Sequence, residues 1–176
     1  MTADATDLMF RAASFAARAH KNQLRKDGQT PYVAHPFRAC LVVRHVFGVD
    51  DPRVLTAALL HDTIEDTTTD FDDIAEAFGV DVARWVAALT KDMRLEDGPR
   101  EAEYHRVLAA AGWPVVVCKL ADIYDNLSDS KTLSTKGTER NIRRATEYLD
   151  AMRPTLPAEA KAAFAVVEGK LAAMKT

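Results

Sequence analysis

Prolines and glycines mark this chain into a succession of helix starts and stops, which leaves little room for any fold but a helical one. Pro36, Pro52, Pro114 and Pro157 each stand at the head of an apolar run. Proline is tolerated there because the first-turn N–H has no partner within the helix. Gly48 and Gly79 stand where such runs end, the place at which a left-handed residue closes a helix. The first run extends from about Leu8 to Ala19, with Phe10, Ala13 and Ala17 on one side. A polar loop over Lys21 to Pro36 follows, then a helix from Pro36 to Gly48. Asp51 reads as the N-cap of a helix that reaches His61. Thr69 and Asp72 have the spacing of a capping box for a helix ending at Gly79, and Asp81 starts the next, through Trp85 to about Thr90. Residues 91–100 (KDMRLEDGPR) read as a loop broken by Gly-Pro. Helices near Tyr104–Ala110, from Pro114, near Glu139–Met152 and over Pro157–Met174 complete the chain. Val115–Val117 alone would suit a strand, and its context continues with a helical period. The expectation is an all-α chain, residues 1–176 forming a single domain without internal repeats.

Bulk properties narrow the function classes. At 176 residues, 48% hydrophobic and 28% charged, the chain has the make-up of a soluble globular domain. A net charge of −3 argues against nucleic acid as a partner held by overall charge. No apolar run approaches the roughly 20 residues that span a bilayer, so no membrane association is expected. The first residues, MTADATDLMF, lack the basic start and apolar stretch of a signal peptide. Cys40 and Cys118 lie in apolar helical runs without metal spacing and read as buried thiols of a cytoplasmic protein.

The chemistry is concentrated in ALLHDTIEDT, an apolar helix that runs into His61-Asp62 and Glu65-Asp66. Burying unpaired carboxylates costs several kcal/mol, so such a cluster makes sense around a positive centre, most often a divalent metal. On the helix from Pro114, Lys119, Asp122 and Asn126 share one polar face. Together His35, His61, Asp62 and Asp122 offer two imidazoles and two carboxylates from three helices, a donor set that suits Mn, Fe or Zn. A cation of that kind lowers the pKa of the water it binds. Glu65 and Asp66, one turn beyond, are placed for a general base or acid. Basic residues gather at Arg18, Lys21, Arg25 and Lys26, and again at Lys131, Lys136, Arg140, Arg143 and Arg144. Arginine forks match phosphate oxygens, so a polyphosphate substrate fits two such flanks. His20, His45 and His105 have no acidic partner at ligand spacing, and Trp85 and Trp113 read as packing residues.

These residues resemble the RelA/SpoT-type HD-domain hydrolases, in the small alarmone hydrolase group. The segment from Gln23 through Arg25-Lys26-Asp27-Gly28 and Pro31-Tyr32 to His35-Pro36 resembles the family's QxRKxGxPYxxHP. Ala57–Thr67 is similar to its HD signature, Phe78-Gly79 and Thr90-Lys91 follow in order, and so do Lys119-Leu120-Ala121-Asp122 with Asn126. Arg144 and Tyr148 resemble the R-x-x-x-Y of the small members, and the likeness spans about residues 10–150. The resemblance implies a helical HD-domain bundle, about eight to ten helices, that removes the 3′-pyrophosphate of ppGpp with Mn2+ or another divalent transition metal. His35, His61, Asp62 and Asp122 would be the metal ligands, and Glu65 and Asp66 would orient or deprotonate the attacking water. Arg25 would stack on the nucleobase, and Lys26, Asn126, Arg144 and Tyr148 would line the nucleotide and phosphate site. Synthesis is not expected, since the chain stops where long members continue into a synthetase domain. Ile123, Asp125, Ser128 and Ala88 depart from the pattern; the first three bear on recognition of base and phosphate, leaving ppApp or another nucleotide such as NADPH as alternative substrates. Whether the chain forms a homo-oligomer is left open.

Overall fold

The computed structural model describes residues 3–130 and 133–175, and Lys131 of the second basic stretch lies outside them. The described residues form ten α-helical segments and no extended strand: α1 (Ala3–Ala19), α2 (Ala34–Leu41), α3 (Pro52–Leu60), α4 (Thr63–Asp66), α5 (Phe71–Phe78), α6 (Val80–Leu89), α7 (Asp97–Ala109), α8 (Trp113–Asp129), α9 (Thr135–Met152) and α10 (Lys161–Ala173). α8 is buried nearly all round and runs through the middle, with α2, α3, α6, α9 and α10 packed against it. Leu55, Leu60, Leu120, Leu127 and Leu149 are fully buried in one continuous core. No helix among the described residues is long and apolar enough to cross a membrane.

Local chemistry accounts for the boundaries. Asp51 caps α3 by accepting the Arg53 N–H at 2.8 Å, with Pro52 at the first helical position. The capping box of α5 is Asp70 with Asp73, one residue beyond the expected Thr69–Asp72 pair. Asp70 accepts the Asp73 N–H at 2.9 Å and Asp73 accepts the Asp70 N–H at 3.0 Å. The Thr69 hydroxyl is instead paired with that of Thr67 at 3.0 Å. Gly79, at φ +90°, lets α5 stop and α6 begin without a linker. α6 begins at Val80 rather than Asp81.

Residues 97–100 are helical, not loop: Gly98 and Pro99 occupy the first turn of α7, where the missing proline N–H is no loss. α2 likewise begins at Ala34, two residues before Pro36, and widens after Leu41 until Phe47 N–H reaches Val42 O. α9 begins at Thr135, with Ser134 accepting the Gly137 N–H, four residues before the expected start.

Candidate metal centre and active site

The helix carrying the acidic pairs does not run straight through them. α3 ends at Leu60, because its orphaned carbonyls find side-chain donors: His61 Nδ1 contacts Ala58 O at 2.8 Å and the Thr63 hydroxyl donates to Leu60 O at 2.7 Å. The chain turns at His61-Asp62 and restarts as the single turn α4, which carries Glu65 and Asp66. Those two carboxylates therefore sit on a separate short helix rather than on a continuation of α3.

His35, in the first turn of α2, is 1% exposed, and His61 is 3% exposed. With His61 Nδ1 facing a carbonyl and His35 Nδ1 2.6 Å from Asp125 Oδ2, both Nδ1 atoms act as donors, and that assignment leaves both Nε2 lone pairs free. The two Nε2 atoms face each other at 3.2 Å. Asp62 Oδ2 stands 3.2 Å from His61 Nε2 and 3.5 Å from His35 Nε2. Asp122 Oδ1 stands 3.1 Å from His35 Nε2 and 3.9 Å from His61 Nε2. Donor atoms of His35, His61 and Asp62 all lie within 4.8 Å of one another.

The lone pairs of His35, His61 and Asp62, crowded this closely, repel unless something positive lies between them, and Asp122 stands beside His35 at the edge of that group. Ligands about 2.1 Å from a shared cation and near a right angle apart are roughly 3 Å from each other, close to these separations. Without a cation, a proton on the His35 ring supplies that positive charge. Burial opposes charge on His35, yet hydrogen bonds to Asp122 and Asp125 outweigh it and push its pKa up to about 9. Burial also opposes charge on Asp122, but Lys119, His35 and His61 hold its carboxyl well below the usual range. The donor set fits a divalent transition metal.

Around this point lies a cavity of ≈ 250 Å³ whose walls include His35, His61, Asp62, Asp122, Glu65 and Asp66. Arg25, Lys26, Asn126, Arg144 and Tyr148 line it as well, whereas Arg18, Lys21, Lys136, Arg140 and Arg143 of the two basic stretches do not. Glu65 Oε2 accepts the backbone N–H of Lys91 at 2.8 Å; desolvation raises its pKa, and the Asp62 charge adds to this. Asp66 is on the exposed rim, its pKa raised by what desolvation it has and by Asp62. Tyr32 donates to Asp62 Oδ2 at 2.7 Å and is within reach of Asp66.

The loop between α1 and α2 is pinned by an antiparallel bridge of Leu24 with Pro31, and by Asp27 accepting the N–H groups of Gln29 and Thr30. This holds Arg25 over Tyr32, 5.5 Å from the ring centroid, with its guanidinium bonded to Asp129 (2.9 Å) and Asn126 (3.2 Å). Lys26 stands at the exposed mouth, where desolvation and the like charges of Arg140, Arg25 and Arg144 lower its pKa. Opposite, Glu101 binds Lys91 Nζ (2.9 Å) and the Tyr148 hydroxyl (3.0 Å), with Arg144 at 3.7 Å.

Sequence reasoning passed over Lys91, Glu101 and Arg38 as site residues. Lys91 reaches Glu65 through its backbone amide, a group every residue but proline offers, so no side-chain signal marks it. His20 and His105 lie near tyrosines of the site, 4.8 Å from the Tyr32 ring and 5.4 Å from the Tyr148 ring.

A helical bundle that presents paired, buried histidines and aspartates to a charged cavity defines the HD-domain class, and residues 12–151 match the HD domain family model. Over 97% of its length this chain is 37% identical to guanosine-3′,5′-bis(diphosphate) 3′-pyrophosphohydrolase MESH1 of Xenopus tropicalis, covering 94% of that protein. Its human counterpart of the same name is 37% identical over 85% of this chain and 83% of its own. A solved metazoan ortholog of SpoT, described as hydrolysing ppGpp and playing a role in starvation responses, superposes with a TM-score of 0.80 at 30% identity, covering 93% of this chain and 94% of its own. The chain belongs to the HD-domain family, on the branch that holds the MESH1 and SpoT-type proteins.

Proposed function

We propose that this chain is a metal-dependent alarmone hydrolase that removes the 3′-pyrophosphate of (p)ppGpp, releasing pyrophosphate and GDP or GTP. The observation that carries the reading is the convergence, on one cavity, of four imidazole and carboxylate lone pairs with the desolvated carboxylate of Glu65. The printed activity of the MESH1 relatives supports the substrate class.

His35, His61, Asp62 and Asp122 would hold Mn2+ or another divalent transition metal, which when bound supplies Lewis acidity towards water and phosphate oxygens. Glu65 takes the proton of the attacking water: the Lys91 amide fixes one of its oxygens, and desolvation makes it a stronger base than an exposed glutamate. Asp66 and Tyr32 orient that water from the rim. Lys26 and Arg144, with Tyr148 and Asn126, receive the phosphates, because an anion among these mutually repelling cations lowers their energy. Arg25 is held flat by Asp129 and Asn126 and offers its plane to the nucleobase.

At ≈ 250 Å³ the cavity lies just below the 300–1,000 Å³ of common ligand pockets, so it takes the pyrophosphoryl end and leaves the base at the Arg25 rim. All of these residues come from one copy of the chain, which we take as one catalytic domain. The buried free thiols of Cys40 and Cys118 fit the reducing cytoplasm, where we place the enzyme.

Incubating the Mn2+-loaded protein separately with ppGpp and ppApp tests this. The expected result is GDP and pyrophosphate from ppGpp. Cleavage of ppApp alone would overturn the guanine assignment, and orthophosphate release or no cleavage would overturn the reaction.

A further inference from the structure

The two imidazoles at the centre are oriented by unlike partners. His61 Nδ1 faces a neutral carbonyl, Ala58 O, whereas His35 Nδ1 faces a carboxylate, Asp125 Oδ2, at 2.6 Å. His35 is 1% exposed and Asp125 3% exposed, so each must find its partner within the protein. Asp122 and Asp125 lie three residues apart on the same face of α8 and stand at the two edges of one ring: Asp122 Oδ1 beside Nε2 (3.1 Å) and Asp125 Oδ2 beside Nδ1.

Asp125 is itself clamped. Arg38, one turn along α2 from His35, donates Nε to Oδ1 at 2.6 Å and Nη2 to Oδ2 at 2.9 Å, the forked geometry that fixes a carboxylate plane. The same Nη2 reaches Asp129 at 2.6 Å, and Asp129 also receives Arg25. A continuous chain of hydrogen bonds thus runs from the His35 ring to the loop that carries Arg25 and Lys26.

We propose that Asp125 is a positioning residue of the metal centre: its carboxylate takes the Nδ1–H of His35, fixes that ring's tautomer and angle, and turns the Nε2 lone pair towards His61, Asp62 and Asp122. The inference rests on the reading that these four residues hold a cation. A carboxylate behind a ligating imidazole also makes it a stronger donor than a carbonyl does. His35 is therefore the more basic of the two nitrogen ligands, and Asp125 the residue outside the coordination sphere on which cation affinity depends most.

The test is titration of metal-stripped protein with Mn2+ by calorimetry, without nucleotide, so that failure to cleave alarmones and failure of this inference are read separately. Asp125→Ala should weaken Mn2+ binding by about 10–100-fold. Nitrogen-15 spectra of its His35 ring should show mixed tautomers in place of a single Nδ1–H form. Asp125→Asn, which keeps an acceptor oxygen without the charge, should fall between it and the native protein, and it carries the test if Asp125→Ala does not fold. Arg38→Met, which leaves the His35–Asp125 contact in place, should lower the melting temperature while Mn2+ affinity holds. Native Mn2+ affinity in a folded Asp125 variant would overturn the proposal. So would an equal loss in Arg38→Met, since the salt bridge between α2 and α8 would then carry the effect. A native protein with no Mn2+ affinity would overturn it too.

Discussion

Glu65→Gln lowers kcat for ppGpp by about 10²–10⁴, the range for removing a general base, while nucleotide binding and Mn2+ content stay near native. Glutamine is the informative replacement because its amide oxygen still accepts the Lys91 N–H, so the 2.8 Å contact that holds this side chain survives while the basic oxygen is lost. The pH profile supplies the sign. Desolvation, and then the Asp62 charge, raise the Glu65 pKa, so the ionised base is present only above a value higher than that of an exposed glutamate. Rate should rise with pH through that raised value and level off above it. The residual rate of the variant should lack this limb. Turnover of Glu65→Gln at the native rate would remove Glu65 from the mechanism, and a lost rate accompanied by lost Mn2+ would make it a ligand instead.

Lys119→Met has the largest expected effect on stability. Lys119 Nζ is 2.8 Å from Asp122 Oδ2, is buried, and lies 4.3 Å from the Tyr148 centroid and 5.0 Å from that of Tyr104. Burial works to neutralise it, but the Asp122 carboxylate and the tyrosines outweigh this and hold the ammonium charged. Removing one partner of such a pair costs about 3–5 kcal/mol. For a chain of this size each kcal/mol lowers the melting temperature by roughly 2–4 °C, so metal-stripped Lys119→Met should melt about 6–20 °C below the native protein. Mn2+ should narrow the gap, since a cation also pairs with Asp122. Adding Asp122→Asn should recover much of the loss without metal, because no unpaired charge then remains buried. Melting within about 1 °C of native would show that the pair contributes nothing and that Asp122 is compensated elsewhere.

Much of this site was legible because its residues obey short-range spacing. Asp122 and Asn126 are four apart, His61-Asp62 and Glu65-Asp66 fall within one short motif, and polar groups in apolar helices stand out. What escaped depends on tertiary contact or on local competition. Lys91 serves through its amide, and Glu101 gathers Lys91 from the segment before α7 and Arg144 and Tyr148 from α9, more than forty residues further on. Asp125 was visible only as a departure from a pattern; its partners His35 and Arg38 are about 90 residues away. The capping box slipped by one residue because Thr67 to Asp70 all offer oxygen acceptors and only packing selects among them. The end of α3 at Leu60 follows from the His61 and Thr63 side chains taking its carbonyls, a choice that hydrophobic periodicity does not report.

Diffraction from crystals soaked in Mn2+, recorded on either side of the manganese absorption edge, tests the central claim most directly. The account predicts one anomalous peak about 2.2 Å from His35 Nε2, His61 Nε2, Asp62 and Asp122 together. A peak displaced from that set, or none in protein that still releases pyrophosphate, would contradict it.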